Sequence, residues 1–293
     1  MTKLVFHLGA PSPSFEQLTF SLRKSAFLLG KHKAIVRRPG QYRALLDNAL
    51  MAHNLGQFTD EDRATLLRKL TMDQPDRRVL VSNGSLLEEP TKIFRDGAFY
   101  TRAGQVTRAL RAMLPEVEME FMLTVQNPIT LVADLLNGRR LTSRQSFMNG
   151  MPFEEVRWSD VILEISKANS HKDVTIWAYE EGPTIWPMIL RHVAGLRGSY
   201  NLDGDLDLIA PLIGELPTKR LKEFLGKQTD LTPAARLEIM EGFLQHFCDP
   251  EVAEQVIDLD GVNRRTVEAV SRAYETDLER CKTIEGVNII SAY

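Results

Sequence analysis

For its first 196 residues the chain alternates short apolar runs with longer stretches of helical spacing. Leu4 to Leu8 is an apolar run closed by Gly9, and it predicts a buried strand. Ala34-Ile35-Val36, closed by the breaker cluster Arg37-Arg38-Pro39-Gly40, predicts a second. Between them Phe15, Leu18, Leu22, Phe27 and Leu28 recur along one helical face. Strand, helix and strand in that order form the unit that builds parallel sheets. The alternation continues, with helices expected over Tyr42–Asn54, Asp60–Met72, Thr101–Leu114, Pro128–Leu136, Ser159–Ala168 and Thr184–Leu196. Strands are expected over Arg78–Ser82, Val117–Val125 and Val174–Tyr179. After Leu196 a polar, turn-rich stretch over Gly198–Asp207 leads into helical spacing at Lys219–Leu225, Pro233–Phe247 and Val262–Arg280. The expectation is one three-layer α/β domain over 1–293, with a parallel sheet of about five strands, covered on both faces, and a helical C-terminal third.

Composition narrows the function only by exclusion. The 293 residues are 43% hydrophobic and 26% charged, with a net charge of −3, which is ordinary globular usage. That balance gives no electrostatic case for a nucleic-acid partner. No apolar run is long enough to span a membrane, and the run that follows Met1 is too short for a secretory signal. A cytoplasmic protein with no membrane partner is therefore expected. Cys248 and Cys281 have no metal or redox spacing and suit reduced thiols.

In a parallel sheet, ligands bind beyond the carboxyl ends of the strands, so the loop after the first strand is the first place to look. There the frame His7-Leu8-Gly9-Ala10-Pro11 resembles the opening H-[IL]-G-x-P-K-[TS]-G-T-[TS] of bacterial sulfotransferases of the P-loop-like fold. Val125 to Asp134 is similar in length and position to the strand end and helix that complete the family's 3′-phosphate site. Tyr274-Glu275-Thr276-Asp277-Leu278 is similar to the family's late Y-x-x-D-[LI] helix. The resemblance implies a sulfotransferase-type sheet, a site for 3′-phosphoadenosine 5′-phosphosulfate (PAPS) or its product PAP, and a small-molecule or glycan acceptor.

The departures fall on the residues that would hold that cofactor. Ser12 stands where the resemblance implies lysine, and Pro13, Ser14, Phe15 and Glu16 replace small or hydroxylated residues. Proline offers no N–H to a phosphate cradle, and an acid in the first turn repels phosphate. Gln126 and Asp134 stand at the implied arginine and serine. The cofactor site at Gly9, Ala10, Pro11, Ser12, Ser14, Gln126 and Asp134 is thus degenerate. Ser12, followed by Pro13 and Glu16, suits a helix start capped by side chains. The expected protein is a sulfotransferase-like, non-catalytic binding or regulatory homologue; the alternatives are an active PAPS-dependent sulfotransferase and an enzyme with a different phosphorylated or glycan substrate.

Other candidates carry less. His7, ending the first strand, is a candidate base or ligand contact, or else a hydrogen-bonded structural histidine. Asp203-Gly204-Asp205-Leu206-Asp207 begins like a calcium loop but has Leu208 and Gly214 where glycine and glutamate are needed, so a solvated acidic turn is expected. Lys31, Lys33, Arg37 and Arg38 suit a solvated rim, or a contact to an acidic ligand. Trp158, Trp177 and Trp186 suit the core.

Overall fold

The computed structural model describes residues 1–9, 15–137, 143–198, 200–228, 231–253 and 259–292. Six parallel strands, β1 (Lys3–Gly9), β2 (Ala34–Val36), β3 (Arg78–Ser82), β4 (Glu118–Val125), β5 (Val174–Ala178) and β6 (Val287–Ile289), form one sheet in the order β2-β3-β1-β4-β5-β6. The expected count of about five is corrected to six. Three-residue β6, Val-Asn-Ile, is too short to show periodicity and lies inside the stretch that reads as helical. It pairs with β5 through Val174↔Val287 and Ile176↔Ile289.

Helices fill the connections: α1 (Phe15–Lys24), α2 (Ala26–Lys31), α3 (Arg43–Asn54), α4 (Asp60–Thr71), α5 (Ala103–Met113), α6 (Pro128–Asn137), α7 (Arg144–Phe147), α8 (Trp158–Ala168) and α9 (Gly182–Ala194). The C-terminal region adds α10 (Ala210–Ile213), α11 (Glu215–Gly226), α12 (Pro233–Phe247), α13 (Pro250–Ala253) and α14 (Arg264–Lys282). The single helical face expected over Phe15–Leu28 is broken at Ser25, and Phe27 beyond the break is exposed.

Alternation along the strands sends Leu4, Phe6, Leu8, Val79, Val81, Phe121 and Leu123 to one face, into a core shared with α3, α4, α5, α6, α8 and α14. Val5, Leu80, Met122 and Trp177 point to the other face, against α1, α2 and α9. A third, smaller cluster lies within α10, α11 and α12 around Ile209, Leu221 and Met240. The chain therefore leaves β1 toward one face, and leaves its neighbours β3 and β4 toward the other. Such a reversal at the carboxyl end of β1 is where open α/β sheets bind their ligands. No helix among the described residues is long and apolar enough to cross a membrane.

The acidic turn before α10 is solvated only at Asp203, and the expectation is corrected for Asp205 and Asp207. Asp205 is buried and takes a two-pronged hydrogen bond from Arg191 of α9 at 2.7 and 3.1 Å. Asp207 accepts from Ser21 at 2.6 Å and pairs with Lys24 at 2.5 Å. A Cβ on Gly204 would lie 2.6 Å from the Ser21 backbone oxygen, so only glycine lets the turn close on α1. Its carboxylates therefore clamp the C-terminal helical region to α1 and α9.

Candidate functional site

β1, β3 and β4 end side by side, and on the α1 face their last side chains form one buried cluster around His7. The imidazole is 1% exposed, with Nδ1 3.0 Å from Ser82 Oγ and Nε2 3.1 Å from Thr124 Oγ1. The Phe15 ring stacks on it at 4.2 Å between centroids, and the Trp177 indole at 5.3 Å. Burial lowers the pKa to about 3, so the ring is neutral near pH 7. Both nitrogens are engaged and the ring is covered, which leaves no free nitrogen to take a substrate proton. His7 therefore fastens three strand ends together. Beside it, Leu18, Trp177, Trp186 and Leu208 close the space to about 10 Å³, roughly the room of one water molecule.

Gly9 follows at φ +108°, where a Cβ would press to 3.1 Å from the Thr124 carbonyl oxygen. Glycine is required there by both the backbone conformation and the closeness of β4. Ala10, Pro11, Ser12 and Ser14, and with them the expected cap at Ser12, lie outside the described residues. Phe15 begins α1 as the lid over His7, and Glu16 behind it is exposed.

At the end of β4 the two remaining implied phosphate contacts come together. Gln126 is fully buried, and its Nε2 donates to Asp134 Oδ2 of α6 at 2.7 Å. The acid can only accept, which fixes the amide orientation. The Gln126 carbonyl oxygen accepts from Trp158 Nε1 at 2.8 Å. Its side-chain Oε1, buried, has no partner among the described residues.

Sequence reasoning missed the segment after β3. Asn83 Nδ2, Glu88 Oε2 and the Tyr100 hydroxyl are buried there with no partner among the described residues, an unusual concentration for an ordinary core. The Glu88 side chain is 1% exposed and pairs through Oε1 with Arg95 at 3.0 Å. Desolvation pushes its carboxyl above the ordinary range, with Arg95 and Arg102 opposing. Tyr100 packs 5.8 Å from Trp158, whose indole reaches Gln126. Glu88 also borders a groove of about 400 Å³ between α3 and α5, with Asp47 and Arg102.

The late landmark is structural in this chain. Asp277 is buried and accepts from the Trp158 and Ser159 backbone amides at 2.7 and 3.1 Å, capping α8 from another helix. The Tyr274 hydroxyl donates to Glu180 Oε2 at 3.0 Å, and Asn127 N donates to Glu180 Oε1 at 2.8 Å. These bonds tie α14 to the ends of β4 and β5. No protein-family model matches the chain, and no curated protein is detectably similar to it.

Lys31 and Lys33 precede β2 while Arg37 and Arg38 follow it, so the four do not converge. Arg37 donates to the Lys69 and Gln41 carbonyls. Trp158, Trp177 and Trp186 are all buried. No group of three or more potential metal ligands occurs among the described residues.

Proposed function

We propose that this chain is a sulfotransferase-like protein that has given up sulfo-donor binding and acts as a non-catalytic binding or regulatory protein. The hydrogen bond between Gln126 and Asp134, 2.7 Å long, carries the reading. In the resemblance these positions hold the arginine and serine that clasp the donor's 3′-phosphate. Here the Gln126 amide donates to the Asp134 carboxylate, so a neutral donor and an acid stand where the resemblance implies a cation and a hydroxyl. A phosphate at about 4 Å from the Asp134 carboxylate would meet a repulsion of roughly 4 kcal/mol per pair of unit charges near a protein surface. Two observations support the same reading. The first five strands follow the order expected of sulfotransferase-like sheets, with β1 between β3 and β4. Phe15, where a small residue would admit an anion, lies flat on His7.

Calorimetric titration with adenosine 3′,5′-bisphosphate tests this. The expected result is no saturable heat from the parent chain. Partial affinity should return in the variant Ser12→Lys/Gln126→Arg/Asp134→Ser, where each charge-assisted contact restores about 1.5 to 3 kcal/mol. Micromolar binding by the parent, weakened steeply by salt, would overturn the reading. It would favour an active PAPS-dependent transferase acting on a hydroxyl or glycan acceptor.

A further inference from the structure

A second cavity lies away from the strand ends, where the acidic turn meets α11 and α12. It encloses about 360 Å³, within the usual range for a small-molecule site. Leu202, Leu206 and Leu225 form apolar wall, and Arg236 and Lys222 supply its cations. The charges around it are not balanced. Asp205 is shared by two guanidinium groups, Arg191 at 2.7 Å and Arg236 at 3.7 Å. Arg191 occupies both carboxylate oxygens, and the Leu202 amide donates to one of them as well. Arg236 is left with only a distant share of that carboxylate and a hydrogen bond to Asn201 Oδ1 at 2.5 Å. Its side chain is nevertheless 11% exposed.

With the two other acids on the rim counted, Arg191, Arg236, Lys24 and Lys222 face three aspartates, one cation in excess. Asp207 is neutralised by Lys24 and further bonded by Ser21 and Gln17. Asp203 is engaged by Ser25 through both its amide and its carboxylate. Lys222, exposed on α11, adds a second cation with no acid assigned to it among the described ion pairs. A half-enclosed guanidinium whose one carboxylate among the described residues is shared with another guanidinium is costly without an anion beside it. The apolar wall excludes a fully hydrated inorganic ion as the best fit, because such an ion leaves the leucines against water.

We propose that this cavity binds a small organic monoanion, a carboxylate carried on an apolar tail. Arg236 and Lys222 receive the carboxylate, and Leu202, Leu206 and Leu225 enclose the tail. Guanidinium and carboxylate match in shape as well as in charge, which favours a carboxylate over a bare halide. The site is independent of the donor-site reading, since its residues belong to the C-terminal helical region and none of them lines the space beside His7.

The test uses the full chain, with calorimetry and thermal unfolding in the presence of octanoate, octan-1-ol and acetate at one ionic strength. Octanoate should bind at a single site, raise Tm, and bind at least tenfold more tightly than either octan-1-ol or acetate. Arg236→Gln should weaken octanoate about tenfold or more, and Lys222→Gln severalfold. Ala210→Leu, on the cavity wall, should block octanoate by volume while keeping every charge. Octanoate binding no tighter than octan-1-ol would overturn the proposal, and so would parental affinity in Arg236→Gln. If Arg236→Gln does not fold, unchanged octanoate binding in both Lys222→Gln and Ala210→Leu overturns it instead. Nucleotide binding at the strand ends would leave these outcomes unaltered.

Discussion

On one face of the sheet, Leu4, Phe6, Leu8, Val79, Val81, Phe121 and Leu123 present only hydrocarbon to the helices above them. On the other face Lys3, Arg78, Glu120 and Thr175 open the strands, and His7, Ser82 and Thr124 close them. The opening group forms a network: Glu120 takes Arg78 at 2.7 Å, Lys3 at 3.3 Å and His192 of α9 at 3.0 Å. Alternate residues of the same strands thus build one face that holds by area and another that holds by pairing. The first is indifferent to pH. The second is not, because Glu120 and His7 titrate away from their ordinary values.

The largest expected effect breaks the apolar face. Phe121 is fully buried and stacks on Phe6 at 5.6 Å. Phe121→Ala should cost about 4 kcal/mol, measured by urea unfolding, and the loss should be the same at about pH 5 and about pH 8. A loss that changes across that range would dissolve the distinction between the faces.

Glu120→Gln comes next, at about 3 kcal/mol near neutral pH, because it leaves Arg78 and Lys3 facing an uncharged amide. Burial opposes ionisation of Glu120, but the His192 hydrogen bond, Arg78 and Lys3 outweigh it and hold the pKa at about 2. A carboxyl depressed in this way stabilises the fold fully above its unfolded value of 4.5, and that contribution fades as pH falls toward 2. The gap between parent and variant should therefore narrow by about 2 kcal/mol on going from neutral pH to about pH 3. An unchanged gap at the lower pH would mean that the charge network is not its source.

The smallest effect sharpens the comparison at the other end of the same face. His7 titrates at about 3 when folded, against 6.5 when free, so acid favours the unfolded chain. Stability from this residue is nearly complete above about pH 7.5 and should fall by about 2.7 kcal/mol by about pH 4.5, at 1.4 kcal/mol per pH unit once protonation of the unfolded chain is well advanced. His7→Gln keeps the capacity to hydrogen-bond Ser82 and Thr124 but cannot be protonated in this range. Its unfolding free energy should lack that slope, and an identical slope in both chains would remove His7 as the cause.

Much of the fold was legible because burial and periodicity act locally. The bounds of β2, β3 and α12 coincide with the sequence reading, each ending at a breaker, a polar residue or a proline start. β6 was not legible, since it is defined by hydrogen bonds to β5 more than a hundred residues earlier. The acidic turn misled for a similar reason: Asp205 and Asp207 look solvated until α1 and α9 are brought against them. At the candidate site, the position of His7 at a strand end was readable from the apolar run before it. Its hydroxyl partners were not, because Ser82 and Thr124 lie 75 and 117 residues away. The meeting of Gln126 and Asp134 could be anticipated only through the family resemblance. The buried polar atoms of Asn83, Glu88 and Tyr100 sit in an irregular segment with no periodicity to announce them.

The cap that Asp277 places on α8 has a consequence for the order in which the molecule can be made. Trp158 and Ser159 leave the ribosome well over a hundred residues before the carboxylate that satisfies their amides. β5 likewise waits for β6, and until then it presents an open, wholly buried-type strand as the margin of the sheet. A nascent chain that has completed five strands therefore carries an uncapped helix beside a sticky edge, and both are resolved only by the final segment. Translation stalled between β5 and α14 should yield chains that associate through that edge, so the segment from α14 to β6 doubles as a guard against premature self-association.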